Sequence, residues 1–254
     1  MLHPKWSTKF ELKPGKWVFV PTSESIEEGR KIKKAIEDYW EPPRYYYHLR
    51  SGGHVEAIKS HLKHNSFLHF DIQDFFGSIN RSRVTRTLIG KFSYENARAM
   101  AHASTVRHPD EKSRLILPYG FIQSQIVAAL CLNISRLGKY LNKLSKNSDV
   151  SLSVYVDDII VSCNDSELSA SILVNITNAA ENANFILNAA KQEGPAAAIT
   201  AFNIMLQNNS MMVEALRLKK FVDVLKETES EYQREGILSY VKSINVAQGF
   251  ALKI

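Results

Sequence analysis

The stretch "SLSVYVDDIIVSCN", residues 151–164, sets Asp157 and Asp158 side by side in a run of Val, Ile and Tyr. Such a β-branched run suits a buried strand, where an ionised carboxylate costs several kcal/mol unless it is paired or holds a cation. Two strands, 152–156 and 159–163, joined by a tight turn at Asp157-Asp158 would lift both carboxylates to one end of a sheet. Turn chemistry alone is the plainer reading, since Asp is common in tight turns. A second apolar segment, "FLHFDIQDFFGSI" (67–79), carries Asp71 among large hydrophobes. If the strand 67–72 lies beside the hairpin, three carboxylates converge. Their hard oxygens are the ligands Mg²⁺ prefers, and two such ions about 3.5–4 Å apart can steady the entering and leaving oxygens of a phosphoryl transfer.

The bulk numbers bound the answer without choosing it. The chain has 254 residues, 44% of them hydrophobic, enough for a substantial core. A net charge of +6 suits a polyanionic partner but fits an ordinary solvated surface equally well. Two cysteines, Cys131 and Cys163, each in an apolar stretch, exclude a disulfide framework or a Cys-rich zinc site. The opening "MLHPKWSTKFELKPGKW" lacks the apolar core of a signal peptide, and no run of about 18 apolar residues could span a bilayer. These features predict a cytoplasmic protein without a membrane partner.

Periodicity predicts an α+β chain with strands near 67–72, 152–156, 159–163 and 185–189. "KWVFVPT" (16–22) alternates as a strand, and Ser25 with Glu28 predicts a capping box opening a helix over 25–39. Further helices are predicted near 53–64, within 81–103, from Ser124 as one long helix, and over 166–183. "ITAFNIMLQNNSMMVEAL" reads as a hairpin turning at Asn208-Asn209, and 215–254 as two or three helices.

Here the residues meet a known pattern. "YVDD" (155–158) resembles the Tyr-X-Asp-Asp motif of reverse transcriptases, and "FDIQDFFGSI" (70–79) is similar to their first carboxylate motif. "LPYGFIQS" (117–124) resembles their Leu-Pro-Gln-Gly…Ser segment, "LNAAKQE" (187–193) their Leu-Asn…Lys segment, and the hairpin at 199–213 stands where they carry a primer grip. "KWVFVP" and "YYYHLRSGGHVEAIKSH" look like the fingers of bacterial, retron-like and defence-associated members. All appear in family order, over roughly 14–250.

The resemblance implies a right-hand polymerase: fingers at 1–66, a palm at 67–198 with a fingers insertion about 81–116, and a primer-grip hairpin with a short helical thumb at 199–254. It implies that Asp71 and Asp157, with Asp158 beside them and the carbonyl of Ile72, hold two Mg²⁺ ions, which Mn²⁺ can replace. Phe76 takes the place of an aromatic gate that rejects a ribose hydroxyl and so favours dNTPs. Lys16 and Arg50 are candidate triphosphate cations, and Tyr119 and Gly120 candidate nucleotide contacts, Tyr119 departing from the usual Gln. Tyr155, Gln123 and Ser124 are candidate template or primer contacts. Lys191 is a candidate general acid toward pyrophosphate. Asp74 is assigned a structural hydrogen bond. His48, His54, His61, His64 and His69 lack a Cys or a second ligand pair and read as core or RNA-facing rather than zinc-binding. Tyr45, Tyr46, Tyr47, Trp17 and Trp40 divide between core packing and stacking on bases.

The function so implied is an RNA-directed DNA polymerase that copies a dedicated non-coding RNA in bacterial anti-phage defence. Its partners would be an RNA template, dNTPs, the DNA product, and sister copies or an effector protein. Template-independent or protein-primed DNA synthesis uses the same metal site and remains an alternative. A catalytically silent RNA-binding scaffold is the alternative of another class.

Overall fold

In a computed structural model, which describes residues 4–252, β1 (Trp6–Lys13) and β2 (Lys16–Pro21) form an antiparallel hairpin. The first helix, α1 (Ser23–Glu37), is capped by Thr22, whose hydroxyl accepts from Ser25 N–H at 3.3 Å. The cap thus falls three residues before the predicted Ser25, because the proline-terminated strand already leaves Thr22 extended. Gly29, Ile32 and Ile36 form the buried stripe of this helix.

A 3₁₀ turn at Tyr47–Leu49 leads to α2 (Gly53–Lys59), shorter than predicted, and then to β3 (Ser66–Asp71). Next come α3 (Phe75–Ser78), α4 (Arg81–Leu88), α5 (Tyr94–Ala103) and the small hairpin of β4 (Val106–Arg107) and β5 (Leu115–Ile116). The long helix predicted from Ser124 is two, α6 (Ser124–Ile134) and α7 (Arg136–Leu144). Ser135 breaks it with extended dihedrals, and its hydroxyl accepts from Gly138 N–H at 3.1 Å.

β6 (Ser151–Tyr155) and β7 (Asp158–Cys163) form the acidic hairpin, followed by α8 (Ser166–Asn182). The strand predicted at 185–189 is absent. Instead β8 (Glu193–Ala196) pairs with β3, and 188–191 forms a turn. β9 (Ala198–Ala201), β10 (Ile204–Gln207) and β11 (Ser210–Val213) make a three-stranded antiparallel sheet. Its second turn lies at Asn208-Asn209, as the sequence predicts, with Asn209 at φ +53°. Three helices, α9 (Ala215–Glu227), α10 (Glu231–Ile244) and α11 (Val246–Ala251), end the described chain.

The described residues fall into two compact units, one drawn from 1–44, 72–142 and 178–186, the other from 45–71, 143–177 and 187–254. The second unit holds the sheet β6-β7-β3-β8. Its core packs Phe67 and Ile160 against Ile199, Ile204 and Leu206 of the three-stranded sheet and Phe221, Leu225, Val241 and Ile244 of α9 and α10. His61 is wholly buried there, bonded to Ser162 Oγ at 2.7 Å and Ser153 Oγ at 2.8 Å. In the first unit Phe19, Val106, Ile116 and Phe121 form a core with Trp6 and Trp17 against it. Among the described residues no helix is long and apolar enough to cross a membrane.

Candidate active site

The acidic end of the second unit is built by strand register. β3 pairs antiparallel with β7, and the last pair in the ladder is Asp71 opposite Asp158. Residues so opposed have Cα atoms about 4.5–5.5 Å apart. β6 pairs with β7 through Tyr155 opposite Asp158, so the two-residue turn is Val156-Asp157 and not Asp157-Asp158. The two carboxylates therefore differ: Asp158 opens a strand, whereas Asp157 stands in the turn. Val156 adopts φ +60°, which a β-branched residue reaches only with about 1–3 kcal/mol of strain. Its N–H donates to His48 Nδ1 at 3.0 Å. Burial pushes His48 down to about 4, so the ring stays neutral and keeps that nitrogen an acceptor. A strap of the same unit holds the hairpin, Val154 N–H donating to Tyr45 C=O at 2.7 Å.

Asp71 is 3% exposed. Its side chain accepts from Lys191 Nζ at 2.6 Å and from Asn188 Nδ2 at 3.2 Å, and its carbonyl accepts from Asn188 N–H at 2.8 Å. The 188–191 turn thus delivers both groups. Lys191 is raised above the usual ammonium range by its bond to Asp71, and the charges of Asp71, Asp158 and Asp157 add to the effect. One ammonium senses all three carboxylates. Asp158 Oδ1 accepts from His69 Nε2 at 2.8 Å, while His69 Nδ1 is buried and finds no partner among the described residues. His69 is the residue that sequence reasoning left among the bland histidines. Its signal was the strand period: two residues before Asp71, it shares that residue's face of β3.

Among the described residues no three His, Cys, Asp or Glu side chains stand together as a ready ligand set. Asp71 is taken up by Lys191 and Asp158 by His69. The donor chemistry nonetheless suits a hard divalent cation: three carboxylates on one hairpin and its neighbouring strand, one buried and already neutralised by a cation. Tyr155 is ringed by His48, His54 and Phe202, with ring centroids 6.0, 5.9 and 5.3 Å away. Arg50 is exposed in the same unit and lies over the Tyr47 ring at 4.9 Å.

The remaining candidates belong to the first unit. Phe76 sits on α3 rather than on an extended strand, so strand alternation from Asp71 does not govern it. Its ring packs on Tyr119 at 4.6 Å, while Phe75 turns to Phe185 at 5.8 Å. Lys16 Nζ lies 4.3 Å from the Tyr119 ring centre, joining the three candidates in one cluster. Ile72 is fully buried. Asp74, at φ +46°, pairs with Arg114. Gly120 has φ +101°, and a Cβ there would lie 2.2 Å from Phe19 C=O. The fold itself demands that glycine. Gln123 and Ser124 are 1% and 2% exposed, and Ser124 Oγ donates to Pro118 C=O at 2.7 Å. Ser124 thus ties the 118–124 loop to itself, while Gln123 Oε1 is buried without a hydrogen-bond partner among the described residues.

Residues 13–211, from the end of β1 into β11, match the reverse transcriptase (RNA-dependent DNA polymerase) family. The chain belongs to that family. No curated protein sequence matches it. Among solved structures it is similar to apo telomerase from Candida tropicalis (TM-score 0.55, 11% identity, 91% of this chain and 44% of that one). A telomerase from Candida albicans in complex with the TWJ fragment of telomeric RNA gives TM-score 0.54 at 11% identity, covering 91% and 47%. The RNA polymerase complex inside a double-stranded RNA virus gives 0.50 at 11%, covering 90% and 25%. The chain spans less than half the length of these polymerases. The likeness establishes the fold: the helices and antiparallel sheets of this reverse transcriptase chain are the polymerase α+β architecture that its sequence predicts.

Proposed function

We propose that the chain is an RNA-directed DNA polymerase that adds dNTPs to a 3′-hydroxyl on an RNA template. The observation that carries this reading is the family match across 13–211, which takes in both β3 and the β6–β7 hairpin whose Asp71 and Asp158 are register partners. In this reading Asp71, Asp157 and Asp158, with the Ile72 carbonyl, hold two Mg²⁺ ions, for which Mn²⁺ can stand in. Bound there, such ions acidify a hydroxyl nucleophile and offset the charge of a triphosphate leaving group. The chain's own residues do the rest. His69 orients the Asp158 carboxylate, and His48 holds the strained turn that carries Asp157. Lys191, which bonds Asp71, would offer a proton to the pyrophosphate leaving group. Lys16, Tyr119, Gly120 and Phe76 serve the incoming nucleotide, Phe76 excluding a 2′-hydroxyl. Arg50 offers a second cation to the triphosphate, and Tyr155 a surface to the primer end.

The reading extends to fingers at 1–66, palm at 67–198 and primer grip with thumb at 199–254. It extends also to a bacterial cytoplasmic enzyme that copies a dedicated non-coding RNA in anti-phage defence. What supports that refinement is the likeness of "KWVFVP" and "YYYHLRSGGHVEAIKSH" to bacterial fingers. Sequencing of RNA and attached DNA that copurify with the protein tests it. One recurrent non-coding RNA with complementary DNA is expected, and homopolymeric or random DNA would replace it with untemplated synthesis.

A further inference from the structure

The segment 81–107 of this basic chain carries an excess of cations. Between residues 81 and 107 stand Arg81, Arg83, Arg86, Lys91, Arg98 and Arg107, against a single acid, Glu95. This segment is α4, α5 and β4 of the first unit, whereas the three aspartates belong to the second. The apolar residues of the two helices, Val84, Leu88, Ala97 and Ala101, face the core, whereas Arg86, Lys91, Arg98 and Arg107 are exposed.

Part of this charge is organised around Thr105, which is fully buried. Its carbonyl accepts from Lys5 Nζ at 2.9 Å and its hydroxyl from Arg81 Nε at 3.0 Å, and Lys5 also bonds the His102 carbonyl. Arg98 precedes His102 by four residues, hence on the same face of α5, and Arg107 follows two residues after Thr105. Cation crowds cation. Burial and Arg81 push Lys5 down to about 8, burial with Arg107 and Arg98 lowers Arg81, and burial with Lys5 and Arg81 lowers His102. A cluster that repels itself and is tied down by neutral carbonyl and hydroxyl groups is stabilised by an anion arriving from outside. Arginine dominates it, and the planar guanidinium fork matches phosphate better than a lysine point charge does.

We propose that Lys5, Arg81, Arg98, His102 and Arg107 form a binding surface for the phosphodiester backbone of RNA, additional to the polymerising site. The partner class rests on the polymerase reading above, which supplies RNA as the polyanion this protein meets. Contacts of this kind go to phosphate and carry no base preference.

The test measures fluorescence anisotropy of a labelled single-stranded RNA across a salt series, with unaltered protein and with the exposed pair changed by Arg98→Glu and Arg107→Glu. Thermal melting verifies that the variant is folded, and Arg98→Gln with Arg107→Gln serves if charge reversal unfolds it. The expected result is at least about tenfold weaker binding and a log–log salt slope shallower by about 1.4, two single-strand phosphate contacts at about 0.7 each. Unchanged affinity and slope would overturn the proposal. So would a loss confined to vesicles of phosphatidylserine and phosphatidylcholine, or to an acidic peptide, with RNA binding intact. Primer extension run on the same samples separates the two readings. If unaltered protein makes no DNA yet the charge variant loses RNA, the polymerase reading fails and this surface stands. If DNA is made and the variant binds RNA as before, the surface alone fails.

Discussion

His69 reaches Asp158 through one hydrogen bond, and its other ring nitrogen is buried without a partner among the described residues. A leucine would fill the space, remove an unsatisfied polar atom and leave Asp158 without its orienting donor, so loss of function should part from loss of stability. His69→Leu is expected to melt at or near the temperature of unaltered protein but to lose about 10–100-fold in divalent-ion affinity, the usual effect of removing a ligand's hydrogen-bond partner. His69→Gln, which restores a side-chain N–H, should recover part of it. Calorimetric titration with Mn²⁺ reads this without any turnover, and unchanged affinity in the leucine variant would refute the role. Gly120 presents the opposite case, a residue whose demand is structural. At φ +101° and with Phe19 C=O in the way, Gly120→Ala should cost at least about 1–3 kcal/mol, read as a lowered denaturation midpoint.

At the scale of elements, the strand pair β6–β7 carries its own pH dependence through the histidines packed against it. Burial pushes His61 down to about 3 and His48 to about 4, below the usual histidine value near 6.5. Between those limits the unfolded chain binds protons that the folded chain refuses, so stability falls as pH falls. The slope is up to about 1.4 kcal/mol per pH unit for each such group. Melting temperature should therefore drop steadily from pH 7 to pH 5, and His61→Gln should flatten that drop. A melting temperature insensitive to pH over this range would contradict the buried neutral ring. The elements also show what was legible in the sequence. The acidic hairpin, β3 and α8 followed from period and β-branching, because their patterns extend over a whole face. The missing strand at 185–189 looked extended but spends its backbone on Asp71 and on the turn that presents Lys191. The break at Ser135 was hidden because apolar periodicity continues across it, and the cap at Thr22 because three hydroxyl residues, Thr22, Ser23 and Ser25, compete within one turn. Pairing of a histidine with a carboxylate depends on register, which spacing along the chain does not encode.

Over the molecule as a whole, the family match and the register of β3 against β7 carry the functional reading, while residue types alone supplied the three aspartates. The Phe76–Tyr119–Lys16 cluster belongs to the first unit and the acidic hairpin to the second, and the role proposed for Phe76 has a test of its own. Phe76→Ala is expected to raise incorporation of ribonucleotides relative to deoxynucleotides by at least about tenfold, measured as a ratio of kcat/KM values. An unchanged ratio would remove Phe76 from the nucleotide site. The most direct measurement is primer extension by the purified protein on a defined RNA template with dNTPs and Mg²⁺, compared with Asp157→Asn and Asp158→Asn variants of equal melting temperature. The account predicts template-complementary DNA from the unaltered protein and a loss of at least about a thousandfold, some 4 kcal/mol of transition-state stabilisation, in each variant. Folded, RNA-bound protein that makes no DNA, or DNA made equally well without those carboxylates, would contradict it.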